Sequence, residues 1–176
     1  MKRFYVLLYL TLSFIPLHGQ YESCYETSPD SNINIVVFIA VDCPISQKYI
    51  PVLNAIQERY KAQSVAIRSI IPGKIKKGDL QKFVREYDVG FPVVADKNYK
   101  CVKPLGAGTT PEVFVFDDQN SLKYRGAIDN WFYELGGYRK NSTEDYLIDA
   151  IESLLAGHDP EPDSTSALGC LIQVPK

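Results

Sequence analysis

The chain carries four cysteines, Cys24, Cys43, Cys101 and Cys170, and Cys43 stands where a thiol can be made reactive. In "NIVVFIAVDCPISQKYIPVLNAIQERY" an apolar run ends in Asp42-Cys43-Pro44 and a helical pattern follows at once. Pro44 suits the first position of a helix. The thiol then lies near the unpaired N–H groups and positive dipole end, which favour the thiolate, the form that attacks disulfides. Asp42 acts the other way, because a neighbouring carboxylate disfavours a second negative charge. The plain alternative is a buried core cysteine, a common fate for this residue. Ser46 occupies the place where the second cysteine of a Cys-x-x-Cys pair would stand, so a disulfide within the motif is impossible.

The elements that must position Cys43 alternate between strand and helix. Residues 34–41 are a continuous apolar run, suited to a strand buried on both faces. Ile45, Tyr49, Val52, Leu53, Ile56 and Tyr60 recur at helical spacing, with Pro51 inside the pattern, where it kinks a helix rather than ending it. Residues 64–71 read as a second buried strand. Asp79 is expected to cap a helix carrying Leu80, Phe83, Val84 and Tyr87. Residues 91–95 read as a short strand and residues 98–105 as a short helix. Residues 112–116 and 122–128 flank the turn-prone "DDQN" as an antiparallel hairpin. Ser142 is expected to open a last helix, stopped by Gly157. Residues 158–176 read as a polar, Pro-containing flexible tail. Strands separated by helices imply crossovers, hence an α/β fold with a mixed central sheet flanked by helices and an antiparallel hairpin at one edge.

Composition bounds the class. The chain has 176 residues, 45% hydrophobic and 23% charged, the values of one ordinary globular domain. A net charge of −2 argues against nucleic acid or an anionic membrane as a partner. Residues 1–19 have the basic start, short apolar stretch and small final residue of a secretory signal peptide; a short uncleaved anchor is the alternative. The expected division is residues 1–19 signal peptide, 20–32 mature N-terminal segment, 33–157 folded domain and 158–176 tail. All four cysteines then lie outside the cytoplasm, where disulfides persist.

Phe38 and Ala40, five and three residues before Cys43, and Pro51, eight after it, resemble the thioredoxin-like superfamily around its reactive cysteine. "GTTPEVFVFD" resembles the Thr-Pro-strand element of that family, whose cis-proline faces the cysteine; Thr110-Pro111 is the match. "CPIS", "TPEVFVFD", "YRGAID" and a late "GC" dipeptide, in that order, resemble the redoxin branch, which includes alkyl hydroperoxide reductase/thiol-specific antioxidant proteins and secreted thiol–disulfide proteins. The resemblance implies a thioredoxin-like fold and an extracytoplasmic, periplasmic or secreted, thiol–disulfide oxidoreductase. Cys43 would be its nucleophile, Pro44, Ser46, Thr110 and Pro111 would contact substrate, and the Ser46 hydroxyl would donate to the thiolate. Partners would be a protein or small-molecule disulfide or thiol and an external thiol reductant, with no cofactor and no metal.

The departures open alternatives. Peroxide-reducing members carry Thr three residues before the cysteine, and here that residue is Ala40. A thiol peroxidase passing through a sulfenic acid is therefore the second reading, with peroxide as substrate. A non-catalytic binding module of the same fold is the third. With Ser46 in place, the resolving thiol must come from elsewhere. Cys170 in "ALGCLI" is the candidate if the tail folds back; otherwise it is packed and inert. Cys24 is expected to staple the mature N-terminus to Cys170 or Cys101, or to stay free, and Cys101 to be buried. Arg125 reads as a solvated strand residue, Trp131, Phe132 and Tyr133 as packing, and His158 as a surface residue.

Overall fold

The computed structural model describes Cys24 and residues 31–175. The expected signal peptide and most of the expected N-terminal segment lie outside the described residues. β1 (Ile33–Phe38), α1 (Pro44–Tyr60), β2 (Val65–Pro72), α2 (Lys77–Glu86), β3 (Val93–Asp96) and α3 (Val102–Leu105) form the first half. β4 (Thr109–Thr110), β5 (Glu112–Phe116), β6 (Leu122–Gly126), β7 (Phe132–Glu134), β8 (Gly137–Tyr138), α4 (Tyr146–Leu155) and β9 (Cys170–Leu171) follow.

The central sheet has the order β3-β2-β1-β5-β6. β1, β2 and β3 are parallel, and β5 runs antiparallel to both β1 and β6. The expected mixed sheet and its edge hairpin are both present. β1 is buried at every position because each face is covered. Ile33, Ile35 and Val37 pack with Tyr49, Leu53 and Ile56 of α1 and Leu147 and Ile151 of α4. Val36 and Phe38 point the other way, against Val102 and Leu105 of α3, Phe114 and Cys24. The period of two along the strand thus divides the core into two layers.

Four local expectations are corrected. α2 begins at Lys77, with Lys76 at its N-cap, and Asp79 lies inside the first turn, where its charge complements the dipole. α3 is one turn only, because Asp96 gathers the N–H groups of Lys100, Cys101 and Val102 with its two carboxylate oxygens and sets the start late. α4 begins at Tyr146, and the Ser142 hydroxyl donates to Asp145, the N-cap, instead of opening the helix itself. The tail is not loose. It runs beside β6, with Arg125 N–H donating to Asp163 O and Thr165 N–H donating to Arg125 O, both at 3.0 Å. This covers an otherwise open sheet edge. Gly126 permits the approach, since a Cβ there would lie 2.8 Å from the Thr165 carbonyl carbon.

Candidate active site

Cys43 ends the turn that leaves β1, and the first turn of α1 fastens that turn from behind. Ile39 N–H donates to Ile70 O (3.0 Å), Ala40 N–H to the Ser46 hydroxyl (3.3 Å), and the Gln47 side-chain amide to Val41 O (2.7 Å). Cys43 is the N-cap of α1 in extended backbone (φ −88°, ψ 111°), and its carbonyl accepts the first helical bond from Gln47 N–H. Pro44 follows, exposed, at the position where a missing N–H costs nothing. The first turn holds no acidic residue, so nothing within it offsets the positive end of the helix beside the sulfur. Ser46 is fully buried and its hydroxyl is engaged with Ala40, not with Cys43. It accepts from Ala40 N–H there, which leaves its own O–H free.

The Thr110–Pro111 peptide bond is cis, as the resemblance implied. Thr110 O lies 3.2 Å from Cys43 Sγ, so the loop before β5 faces the sulfur directly. Glu112, buried immediately after Pro111, anchors this loop. One of its oxygens accepts Gly108 N–H (2.9 Å) and Thr109 N–H (3.3 Å), and the other accepts the Arg125 guanidinium (2.9 Å). Arg125 also donates to Gly106 O (3.2 Å) and lies over the Phe114 ring. It is therefore the partner of a buried carboxylate rather than a solvated strand residue. Sequence reading missed Glu112, although its place next to the Thr-Pro pair was a usable signal.

Cys170 is bonded to Cys43, with Cα atoms 6.1 Å apart, inside the ~7 Å that a bridge tolerates. The tail reaches the site as β9, antiparallel to β4, with Thr110 opposite Cys170 and Thr109 opposite Leu171. The Thr110 hydroxyl donates to Cys170 O (3.3 Å), and Ile172 N–H donates to Gly108 O (2.9 Å). Cys43 is 1% exposed beneath this strand, whereas Cys170 is half-buried. Cys24 and Cys101 form the second disulfide, Cα atoms 5.4 Å apart, and no cysteine among the described residues is free. Cys101 is half-buried and bonded, not a plain core residue. Ile172 of the tail packs on the same cluster as Cys24.

Two cavities border the tail strand. One, about 240 Å³, is lined by Pro111, Tyr49, Asp129, Phe132, Ser166 and Leu168 among others. The other, about 370 Å³, is lined by Ala40, Asp42, Thr110, Cys170, Leu171 and Ile172 among others. In the first, the Tyr49 hydroxyl donates to Asp129, which also accepts Trp131 N–H (2.8 Å). Burial raises the Asp129 carboxyl above the usual carboxylate range, against the opposing effect of those two hydrogen bonds. Burial likewise drives the Tyr49 phenol upward, with Asp129 adding to the effect, so it stays a donor. Trp131 and Phe132 pack edge-on and tilted against Tyr49, each with ring centroids 5.6 Å away, while Tyr133 is exposed beneath Arg139. His158 is exposed. Among the described residues no group of three or more His, Cys, Asp or Glu is arranged to hold a metal ion.

Cys43 thus stands at a helix N-terminus and faces a Thr–cis-Pro loop on a mixed sheet. A family model described as the AhpC/TSA family matches residues 20–125, more than half of the chain. The chain belongs to the AhpC/TSA family. Among curated relatives of this AhpC/TSA chain, a thiol-disulfide oxidoreductase ResA of Bacillus cereus is 26% identical over 101 residues, 57% of this chain and 58% of that protein. A ResA of Geobacillus thermodenitrificans is 26% identical over 81 residues, 46% of each chain. The chain thus spans less than two thirds of the length of these relatives. A hypothetical protein of Sinorhizobium meliloti 1021 has a similar solved structure, with TM-score 0.73 and 27% identity over 82% of this chain and 80% of that one. An uncharacterized conserved protein of Geobacillus kaustophilus superposes with TM-score 0.68 at 22% identity, over 82% and 78%. The AhpC/TSA match ends at Arg125, so Cys170 and the tail lie beyond it.

Proposed function

We propose that the protein is an extracytoplasmic thiol–disulfide oxidoreductase in which Cys43 is the nucleophile and Cys170 the resolving thiol. The observation that carries this reading is the Cys43–Cys170 bridge at the N-terminus of α1, held against Thr110. The names of the ResA relatives support the reaction class. The apolar start of the chain and its two disulfides support a location outside the cytoplasm.

In the reduced protein the Cys43 thiolate attacks one sulfur of a client disulfide. The client S–S bond breaks, its other sulfur leaves as a thiolate and takes a proton from water, and a mixed disulfide remains on Cys43. The Cys170 thiolate then attacks the Cys43 sulfur and expels the client's second thiol. The client gains two electrons and two protons, and the protein ends as the Cys43–Cys170 disulfide. An external thiol reductant restores the dithiol. Pro111, Thr110 and the exposed Pro44 form the rim against which a client docks, while Ser46 holds the turn that carries the nucleophile. Ala40 offers no hydroxyl to orient a peroxide, which sets the peroxidase reading second.

The test uses full-length protein reduced with dithiothreitol, freed of reductant and mixed with a peptide disulfide. One peptide disulfide should be reduced per protein, with a Cys43–Cys170 peptide appearing by mass mapping. No transfer of electrons to the disulfide, or equal transfer by Cys43→Ser, would overturn the reading. Faster consumption of hydrogen peroxide than of disulfide would shift it to the peroxidase.

A further inference from the structure

Resting on that reading, we propose that residues 168–172 occupy the client's own groove, and that the client is an extended strand of the form apolar–Gly–Cys–any–apolar. The tail meets the site as a peptide would. It is antiparallel to β4, with Cys170 opposite Thr110 and its sulfur on Cys43. Each position is read differently. Leu168 packs on the α1/α4 layer of the core and lines the cavity beside Pro111, so the place two before the cysteine takes an apolar side chain. Gly169 lies against the backbone of Thr110, where a Cβ would stand 2.7 Å from the carbonyl carbon and 3.0 Å from Thr109 Cγ2. Real Cβ atoms do not come that close to backbone, so the place before the cysteine admits glycine alone without moving the β4 strand. Leu171 is 80% exposed and unread. Ile172 packs on the second core layer and donates its N–H to Gly108 O, so the place two after the cysteine is apolar again.

These walls belong to β4 and the core, not to the tail. Any cysteine-bearing strand that brings its sulfur to Cys43 in this register meets the same requirements. Main-chain pairing gives the hold and alternate side chains give the selection. Client and tail cannot sit there together, so a client docks only when the Cys43–Cys170 bond is reduced and the tail strand has lifted.

The probe is a set of capped pentapeptides, Leu-Xaa-Cys-Ala-Ile, with Xaa as Gly, Ala or Val and the cysteine joined through a disulfide to 2-nitro-5-thiobenzoate. Full-length Cys170→Ser leaves Cys43 as the exchanging thiol. Its thiolate attacks the peptide sulfur, the S–S bond breaks, and the coloured thiobenzoate anion leaves. The Gly peptide should react at least about tenfold faster than the Ala peptide, and Val more slowly still, because overpacking against a fixed wall raises the barrier. In the Gly169→Ala, Cys170→Ser double variant the tail meets its own wall, vacates the groove, and the Gly peptide should react about threefold faster or more. Gly and Ala rates within about twofold of each other, or no gain in the double variant, overturn the inference. If 5,5′-dithiobis(2-nitrobenzoate) still reacts in that case, thiol–disulfide exchange at Cys43 stands without this selectivity. If no disulfide reacts, both readings fall.

Discussion

Thr110 touches both halves of the Cys43–Cys170 disulfide: its carbonyl oxygen lies 3.2 Å from Cys43 Sγ, and its hydroxyl donates to Cys170 O at 3.3 Å. The residue before the cis-proline therefore holds the strand that carries Cys170 and faces Cys43 at once.

Cys170→Ser is expected to leave Cys43 able to form mixed disulfides and unable to release them. Reduced variant mixed with a peptide disulfide should give a Cys43-linked adduct, one peptide thiol leaving, that persists until reductant is added, whereas wild type turns it over. With peroxide as the oxidant, the same variant should take Cys43 to the sulfinic acid. Mass spectrometry of tryptic peptides reads both outcomes, and a short-lived adduct in the variant would count against Cys170 as resolver.

Reduced Cys43 is expected to titrate below the free-thiol value of ~8.5, because the helix N-terminus favours the anion. The Thr110 carbonyl, whose oxygen lies 3.2 Å from the sulfur, opposes this by turning its negative end toward it. Alkylation rate against pH in Cys170→Ser gives the midpoint. Asp42→Asn should lower it further by removing one nearby negative charge. A midpoint at or above the free value would show that the Thr110 carbonyl wins.

The Cys24–Cys101 bridge spans 77 residues of sequence. Loop-closure entropy gives about 4 kcal/mol for a cross-link of that span. Replacing both cysteines by Ser should lower the melting temperature by roughly 10 °C. Exchange at Cys43 should survive at temperatures where the variant is folded. Loss of exchange in folded protein would instead make this bridge part of the redox site.

Glu112→Gln should weaken the loop before β5. It removes the charge facing Arg125 and leaves one carbonyl oxygen where two carboxylate oxygens now serve Arg125 and the Gly108 and Thr109 N–H groups. The loss should be about 1–3 kcal/mol in urea unfolding. The Cys43–Cys170 bond should also form more slowly on oxidation, since β4 presents the surface on which the tail lands. A variant equally stable and equally fast would make the pair a bystander.

Asp129 binds its proton more tightly in the folded protein than in the unfolded chain, since burial raises its carboxyl. Its contribution to stability is full below about pH 4, the unfolded value, and is lost as pH rises through the raised folded value. Asp129→Asn can still accept from Tyr49 and has no charge to desolvate. The stability of this variant minus that of wild type should therefore increase with pH above about 4 and then level. A flat difference would mean that burial is offset by the Tyr49 and Trp131 hydrogen bonds.

Cys43 and its loop were legible because local rules govern them. Pro44 after a buried run, Pro51 inside a helical period and Thr110-Pro111 before a strand each leave a mark in a few adjacent residues. The central strands were legible through continuous apolar runs. The docked tail was not, because residues 158–167 are polar and their order comes from main-chain bonds to β6 and from the missing Cβ of Gly126, neither of which has a hydropathy signature. Glu112 and Asp96 were missed for a related reason. Each is a buried carboxylate held by backbone N–H groups, and sequence shows the charge but not the donors. The β7–β8 hairpin was missed because aromatic packing around Tyr49, rather than alternation, sets it.

The tail is pinned at Thr165, whose hydroxyl meets both Tyr124 and Ala127, and from there Cys170 is five residues away. If that anchor holds while the strand beyond it lifts, the tether lets the Cys170 sulfur wander no more than about 17 Å. Such a leash keeps the local concentration of the resolving thiol at millimolar or above. Under the proposed mechanism, a client joined to Cys43 would be released at a rate set by the protein and not by the surrounding thiol pool, and the time a client stays attached would be written into the length of residues 166–169.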